Sequence, residues 1–266
     1  MQLFHYTDAS AVKAILEFGK MRLTDMRFLN DSEEVSHATK MLLADLQNGT
    51  FLHRLSEDYA ETSSAHVLNG LSGLLENKFS GHPLYSMSFS AAPDLLSQWR
   101  SYGSYAIEIS KDKWDVFLTR CIYDDKEAKS RLFSKAVEAL REIGRDQRTY
   151  AGELKFRGAE SYMDLVKVLA SIKHSGFAEE KEWRLLLDSR SEHADVVQYR
   201  VRSDMLIPFI EVELPLECVD AIHVGPMRYQ DMAYESMLEY AQQLGHLRSL
   251  EKAIKVVKSP IPYRPA

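Results

Sequence analysis

The stretch Ala178-Glu179-Glu180-Lys181-Glu182-Trp183-Arg184-Leu185-Leu186-Leu187 holds two carboxylates on which a reaction could turn. Extended backbone sends every second side chain to one face. A strand beginning near Glu180 therefore places Glu180, Glu182 and Arg184 together, with Trp183, Leu185 and Leu187 opposite. The carboxylates would then stand about 7 Å apart. Like charges so placed repel, and folding alone gives little reason to choose them. One carboxylate could stabilise a cation that forms during a reaction while the other acts on a second substrate. The competing reading is a solvated strand edge neutralised by Lys181 and Arg184. Two further strand ends carry polar candidates. His5-Tyr6-Thr7 closes a strand just before a helix, where a histidine is equally suited to plain packing. In Ser86-Met87-Ser88-Phe89-Ser90 the hydroxyls of Ser88 and Ser90 share a face, with Tyr85, Met87 and Phe89 on the other. Small hydroxyls directed into a cleft can orient a carboxylate or a ribose. The three strand ends together are more specific than any one of them.

Helices and strands must bring these ends together. Gln2 to Tyr6 predicts a strand, and Thr7-Asp8-Ala9-Ser10 supplies caps for a helix with Val12, Ile15, Leu16 and Phe18 on its apolar face, closed by Gly19. Met21 to Thr24 is a second short strand. Asn30-Asp31-Ser32 caps a helix, another covers Phe51 to Lys78, and Leu84 to Ser90 alternates as a strand. A short helix runs from Pro93-Asp94 to Tyr102, ended by Gly103, and Tyr105 to Ile109 is extended. A charged helix follows Asp124-Asp125 to about Arg148, and the next spans about Glu160 to His174. Strands then return at Glu182–Leu187, Val196–Val201, Phe209–Leu214 and Ala221–Val224, before a helix at 231–244 and a last strand at 254–258. Strands at both ends with helices between them predict a single mixed α+β domain over 1–266, with helical insertions at about 32–80 and 124–175.

Composition narrows the classes. The chain has 266 residues, and 33 basic against 39 acidic side chains leave a net charge of −6. That balance argues against broad, non-specific nucleic-acid binding, although a local basic face on the 124–148 helix stays open. Cys121 and Cys218 form neither a CxxC nor a disulfide framework, the nine histidines show no paired-ligand spacing, and no metal site is expected. The N-terminus lacks a basic start followed by an apolar core, and no apolar run approaches ~20 residues. A cytoplasmic protein without a membrane partner is expected. His223-Val224-Gly225-Pro226 suits a structural turn better than a phosphate loop, lacking a second glycine at the required spacing.

His5-Tyr6-Thr7, Ser88-Phe89-Ser90 and Glu180-Lys181-Glu182 resemble the three-part signature of ADP-ribosyltransferases, with His or Arg on the first strand and Glu-x-Glu on a late one. The chain also resembles a bacterial family of unknown function that shares the opening His-Tyr-Thr, the Asn30-Asp31-Ser32-Glu33-Glu34 loop, the Ser-Phe-Ser strand and Glu-Lys-Glu-Trp-Arg. It departs from these patterns at Arg100 in Trp99-Arg100-Ser101-Tyr102, at His5 where arginine-modifying transferases carry Arg, and at Phe89 in place of Thr. These departures leave the acceptor open. The resemblance implies an ADP-ribosyltransferase-like split sheet with inserted helices, and NAD as the substrate consumed. It implies that Glu182 takes the ribose 2′-hydroxyl and stabilises an oxocarbenium-like centre, while Glu180 receives a proton from the acceptor. His5, supported by Thr7 and neighboured by Tyr6, would bind the adenosine-side ribose. Ser88, with Ser90 beside it, would orient Glu182. Tyr85, Tyr102 or Tyr105 would stack on nicotinamide, and Arg184 would pair with a glutamate or bind pyrophosphate. The acceptor is a macromolecule, protein or nucleic acid, and the implied biology is a toxin, an effector or phage defence. Two other classes stay open: a nuclease or hydrolase using Glu180, Glu182, Asp31 and a bound metal, and a non-catalytic binding module in which Glu182 and Arg184 form a structural pair.

Overall fold

A computed structural model describes residues 1–29, 38–40, 42–44, 83–149, 156–188 and 196–262. The Asn30–Glu34 loop, with Asp31, and the helix expected over 51–78 lie outside the described residues. The chain opens with β1 (Gln2–Thr7) and α1 (Ala9–Phe18). The Asp8 carboxylate accepts the Ala11 N–H, which satisfies one orphan donor at the helix start. Gly19, at φ 63, ends the helix by donating its own N–H to the Ile15 carbonyl. Val12, Ile15 and Leu16 are buried, but Phe18 is 71% exposed. At 3.6 residues per turn it falls about a third of a turn from the centre of that stripe, which corrects its placement on the apolar face.

The remaining strands are β2 (Lys20–Asp25), β3 (Leu84–Ser90), β4 (Tyr105–Ser110), β5 (Leu118–Arg120), β6 (Glu182–Asp188), β7 (Gln198–Arg202), β8 (Met205–Glu213), β9 (Val219–Val224) and β10 (Lys255–Lys258). Between them lie α2 (Leu96–Tyr102), α3 (Asp125–Thr149), α4 (Phe156–Leu169) and α5 (Gln230–Arg248). The architecture is a mixed α/β one, with an open and mostly antiparallel sheet of ten strands. Its path runs β10-β9-β4-β1-β3-β2-β8-β7, and β6 with β5 branches from β3.

β3 is the strand that creates the cleft. One edge is occupied by β6 throughout, from Leu84 opposite Asp188 to Ser90 opposite Glu182. The other edge is shared. β2 meets it at Tyr85 and Ser86, while β1 meets it at Ser90. β1 and β2 therefore part from each other along β3, and each carries its own ladder away, β1 with β4 and β2 with β8.

Alternation along β3 and β6 divides the packing. Tyr85, Met87, Phe89, Leu185 and Leu187 enter the main core with Leu3, Ile107 and the buried face of α1. Leu84 and Leu186 point the other way, into a second core with α3 and α4. α3 supplies Leu132, Ala136, Ala139, Leu140 and Ile143 to that core. Its charges pair along the outside, as in Arg131 with Glu127 and Lys135 with Glu138. This is the solvated face that charge patterning predicts. Among the described residues no helix is long and apolar enough to cross a membrane.

A glycine closes the joint between α2 and β1. Gly103 has φ 127, and a Cβ there would lie 2.5 Å from the Thr7 carbonyl oxygen. Gly103→Ala must strain the backbone and push against main chain at the end of β1, so a loss of about 1–3 kcal/mol is expected in a urea melt. An unchanged midpoint would show that the joint has slack.

Candidate active site

β6 begins at Glu182, not near Glu180. Glu180 is the last residue of a 3-10 turn, Ser175–Glu180, and Lys181 takes a left-handed conformation at φ 45. The expected ladder of Glu180, Glu182 and Arg184 on one strand is thereby corrected. A left-handed residue turns the chain between the two glutamates, so strand alternation does not relate them. They are brought together instead by a side chain that strand spacing does not reveal. Lys173 Nζ donates to Glu180 Oε2 and to Glu182 Oε2, both at 2.7 Å. Its backbone is fixed by Lys173 N to Ile122 O at 2.9 Å and Ile122 N to Ser171 O at 2.8 Å. Ser90 holds the turn from the other side, its hydroxyl donating to the Glu180 carbonyl at 2.6 Å.

Glu182 is 4% exposed and fully engaged. Oε1 accepts from Ser88 Oγ at 2.6 Å and from Arg184 Nε at 2.7 Å. Oε2 accepts from Lys173 at 2.7 Å and from Arg184 Nη2 at 3.2 Å. A carboxylate has about four lone-pair positions, and these four contacts occupy them. Burial alone would raise this carboxyl, but the Arg184 guanidinium and the Lys173 ammonium outweigh it and hold the pKa down at about 2. The group is therefore an anion at neutral pH. Arg184 is 1% exposed and donates its Nη1 to the Ala170 carbonyl at 2.6 Å. It lies beneath the site as a counter-ion, not in the cleft as a pyrophosphate ligand. Glu180 differs from Glu182, since it takes the Lys173 bond on Oε2 while Oε1 has no hydrogen-bond partner among the described residues.

A cleft of about 570 Å³ lies where β1 and β2 part. His5, Tyr6, Thr7, Ser88, Ser90, Tyr102, Glu180 and Glu182 all line it. His5 donates from Nδ1 to the Ser88 carbonyl at 3.0 Å, since a carbonyl can only accept, and its ring leans on Phe89 at 5.7 Å. The bond leaves Nε2 as an acceptor. Burial pushes the imidazole below its ordinary pKa, with the Ser88 carbonyl partly opposing. Tyr6 has a structural task. Its hydroxyl donates to Ala92 O at 3.0 Å and accepts the Leu95 N–H at 3.1 Å, and its ring meets Trp99 edge-on at 4.6 Å. Tyr85 is only 1% exposed in the main core, on the face of β3 away from Ser88, and it does not line the cleft. Tyr105 is not in the lining either, which leaves Tyr102 among the three expected stacking partners.

Residues 98–185 match a family described as protein of unknown function (DUF2971). The match covers about a third of the chain and contains Trp99, Tyr102, Lys173, Glu180, Glu182 and Arg184. His5 and Ser88 fall outside it. Neither a curated protein nor a solved structure matches the chain.

Two features of the site escape strand-and-motif reading. Lys173, buried behind the two glutamates, follows an apolar helix and reads as an ordinary helix-end cation. Arg200, which lines the cleft, sits on an exposed strand where a charge carries no signal. Among the described residues no three His, Cys, Asp or Glu side chains stand together as metal ligands. Glu180 and Glu182 are already held by Lys173 and Arg184, whose positive charges would oppose a metal ion beside them.

Proposed function

We propose that the chain consumes NAD and transfers ADP-ribose to a macromolecular acceptor, with the cleft between β1 and β2 as its active site. One observation carries this reading. His5, Ser88 and Glu182 come from three strands far apart in sequence, line one cleft, and are linked His5 to Ser88 to Glu182 by hydrogen bonds of 3.0 and 2.6 Å. The division of the sheet at β3 supports the split-sheet arrangement that the resemblance to ADP-ribosyltransferases implies.

In the proposed reaction the C1′–N1 bond of the nicotinamide riboside breaks and nicotinamide leaves with the electron pair. Glu182, held ionised, faces the developing positive charge. The ribose 2′-hydroxyl takes the position of the Ser88 hydroxyl on Oε1, the one contact to the Glu182 carboxylate that a neutral group makes among the described residues. The acceptor's nucleophile bonds to C1′ and its proton passes to the open Oε1 of Glu180. Tyr102 stacks on nicotinamide, and His5 Nε2 accepts a hydroxyl of the adenosine-side ribose. A toxin, effector or phage-defence role follows from the same resemblance.

The saturation of Glu182 favours a second reading, a binding module that holds NAD without cleaving it. Nicotinamide release and an NAD-dependent rise in melting temperature separate the two. Release together with stabilisation supports catalysis, stabilisation alone supports the module, and the absence of both removes NAD from the site.

His5→Ala is expected to weaken NAD binding by up to about tenfold, the size of one hydrogen bond, with the melt little changed. Titration calorimetry would decide it, and equal affinity in a folded variant would take His5 out of the site.

A further inference from the structure

The far end of the cleft has a different electrostatic character from the glutamate end. Lys20, Arg22, Thr24 and Glu211 line it together with Arg200 of β7. Arg22 Nε lies 3.0 Å from Glu211 Oε1, and Lys20 Nζ lies 3.7 Å from Glu211 Oε2, so two cations share one carboxylate. Arg200 reaches over β8 to β2, where Nη2 donates to Thr24 Oγ1 at 3.0 Å. It has no carboxylate partner among the described residues. Arg200 is therefore a lining cation whose own counter-charge is not supplied by any described carboxylate. At the other end Lys173 and Arg184 pair with Glu180 and Glu182.

We propose that Arg200, seated on Thr24, forms an anion subsite that takes the diphosphate of the bound nucleotide. This deepens the NAD reading and rests on it for the rest of the ligand. A guanidinium offers parallel N–H donors that match phosphate oxygens, and a diphosphate supplies the counter-anion that Arg200 lacks among the described residues. Register sets the spacing. Thr24 stands opposite Ser86, and Ser88, which holds Glu182, is two residues further along β3. At ordinary strand spacings the Thr24 and Ser88 backbones are therefore on the order of 8 Å apart. A nicotinamide ribose over Glu182 thus puts its diphosphate one ribose width away, towards Arg200. Desolvation, followed by repulsion from Arg202 and Arg22, lowers the Arg200 pKa, as expected of a guanidinium that lacks its counter-anion.

Titration calorimetry with ADP, inorganic pyrophosphate and adenosine tests the subsite. The wild-type chain should bind ADP and pyrophosphate. Arg200→Gln should weaken ADP binding at least tenfold and leave adenosine binding unaltered. Arg202→Gln removes a neighbouring charge that does not line the cleft, and it should change ADP affinity less than twofold. Equal losses in the two variants would mean diffuse attraction and would overturn the subsite, as would ADP affinity unchanged in Arg200→Gln or no ADP binding by the wild type. Arg200-dependent ADP binding without nicotinamide release from NAD would uphold the subsite while rejecting the proposed reaction.

Discussion

Glu182→Gln is expected to lower nicotinamide release from NAD by about 100-fold or more, the usual effect of losing one preorganised electrostatic stabiliser. The amide keeps the shape and removes the charge that faces the cationic centre. It also presents an NH₂ to Arg184 or Lys173, both of which can only donate, so stability falls as well, and activity should be read per folded molecule. Glu180→Gln should behave differently. Transfer to an acceptor falls while slow NAD hydrolysis persists, because Glu180 lines the cleft and keeps one carboxylate oxygen without a hydrogen-bond partner among the described residues. Equal loss of both activities in both variants would make the pair one unit, and no loss in either would make the cluster a structural ion-pair network. The pH dependence of stability gives an independent reading. The Glu182 carboxyl is held at about 2 in the folded chain against an ordinary value of 4.5. A lowered folded pKa contributes stability that is fully present above the unfolded value and is lost as pH falls through the folded one. On the order of 3 kcal/mol should therefore disappear between about pH 4.5 and pH 2. Urea melts across that window should show the loss in the wild type and a flatter profile in Glu182→Gln.

Arg184→Met should cost roughly 3–5 kcal/mol, since it strands a buried carboxylate whose remaining cation, Lys173, must also serve Glu180. It also leaves the Ala170 carbonyl without its guanidinium donor. The compensating change is instructive. In the Glu182→Leu/Arg184→Met double variant the uncompensated charge is gone, and most of the stability should return while activity does not. Denaturant melts of the four proteins in the cycle, beside nicotinamide release, separate the two roles of the pair. A cost below about 1 kcal/mol for the single variant would mean that water screens the cluster.

Local physics made several elements readable from residue types. Asp8 and Gly19 bracket α1 because caps act within one turn, and the alternation of β3 separates Ser88 and Ser90 from Tyr85 and Phe89 because strand period is strict. That same alternation argues against Tyr85 as a ligand contact, and its burial agrees. What failed depended on single backbone angles or distant partners. Glu180-Lys181-Glu182 reads as continuous strand unless Lys181 is known to turn left-handed, which lysine rarely does. Lys173 carries no mark of its bridging position, because that position exists only once Ile122 pins the backbone after α4. The parting of β1 from β2 is likewise invisible, since it follows from where each strand meets β3. Arg200 belongs to the same class, being a charge on an exposed strand whose neighbour across the sheet decides its meaning.

The shared edge of β3 also bears on the order of assembly. β1 must wait for β4, β4 for β9 and β3 for β6, each after a long intervening stretch of chain, whereas β7 and β8 are joined by two residues and can pair at once. Sheets closed by such distant pairings pass a large loop-closure barrier and fold slowly. During that delay the apolar Leu3 and Phe4 of β1 and the edges of β3 are open to other chains. The cleft is then a late product of folding, so a site variant recovered in low yield can report competition between assembly and aggregation instead of lost chemistry. Refolding time courses measured beside turnover would keep the two apart.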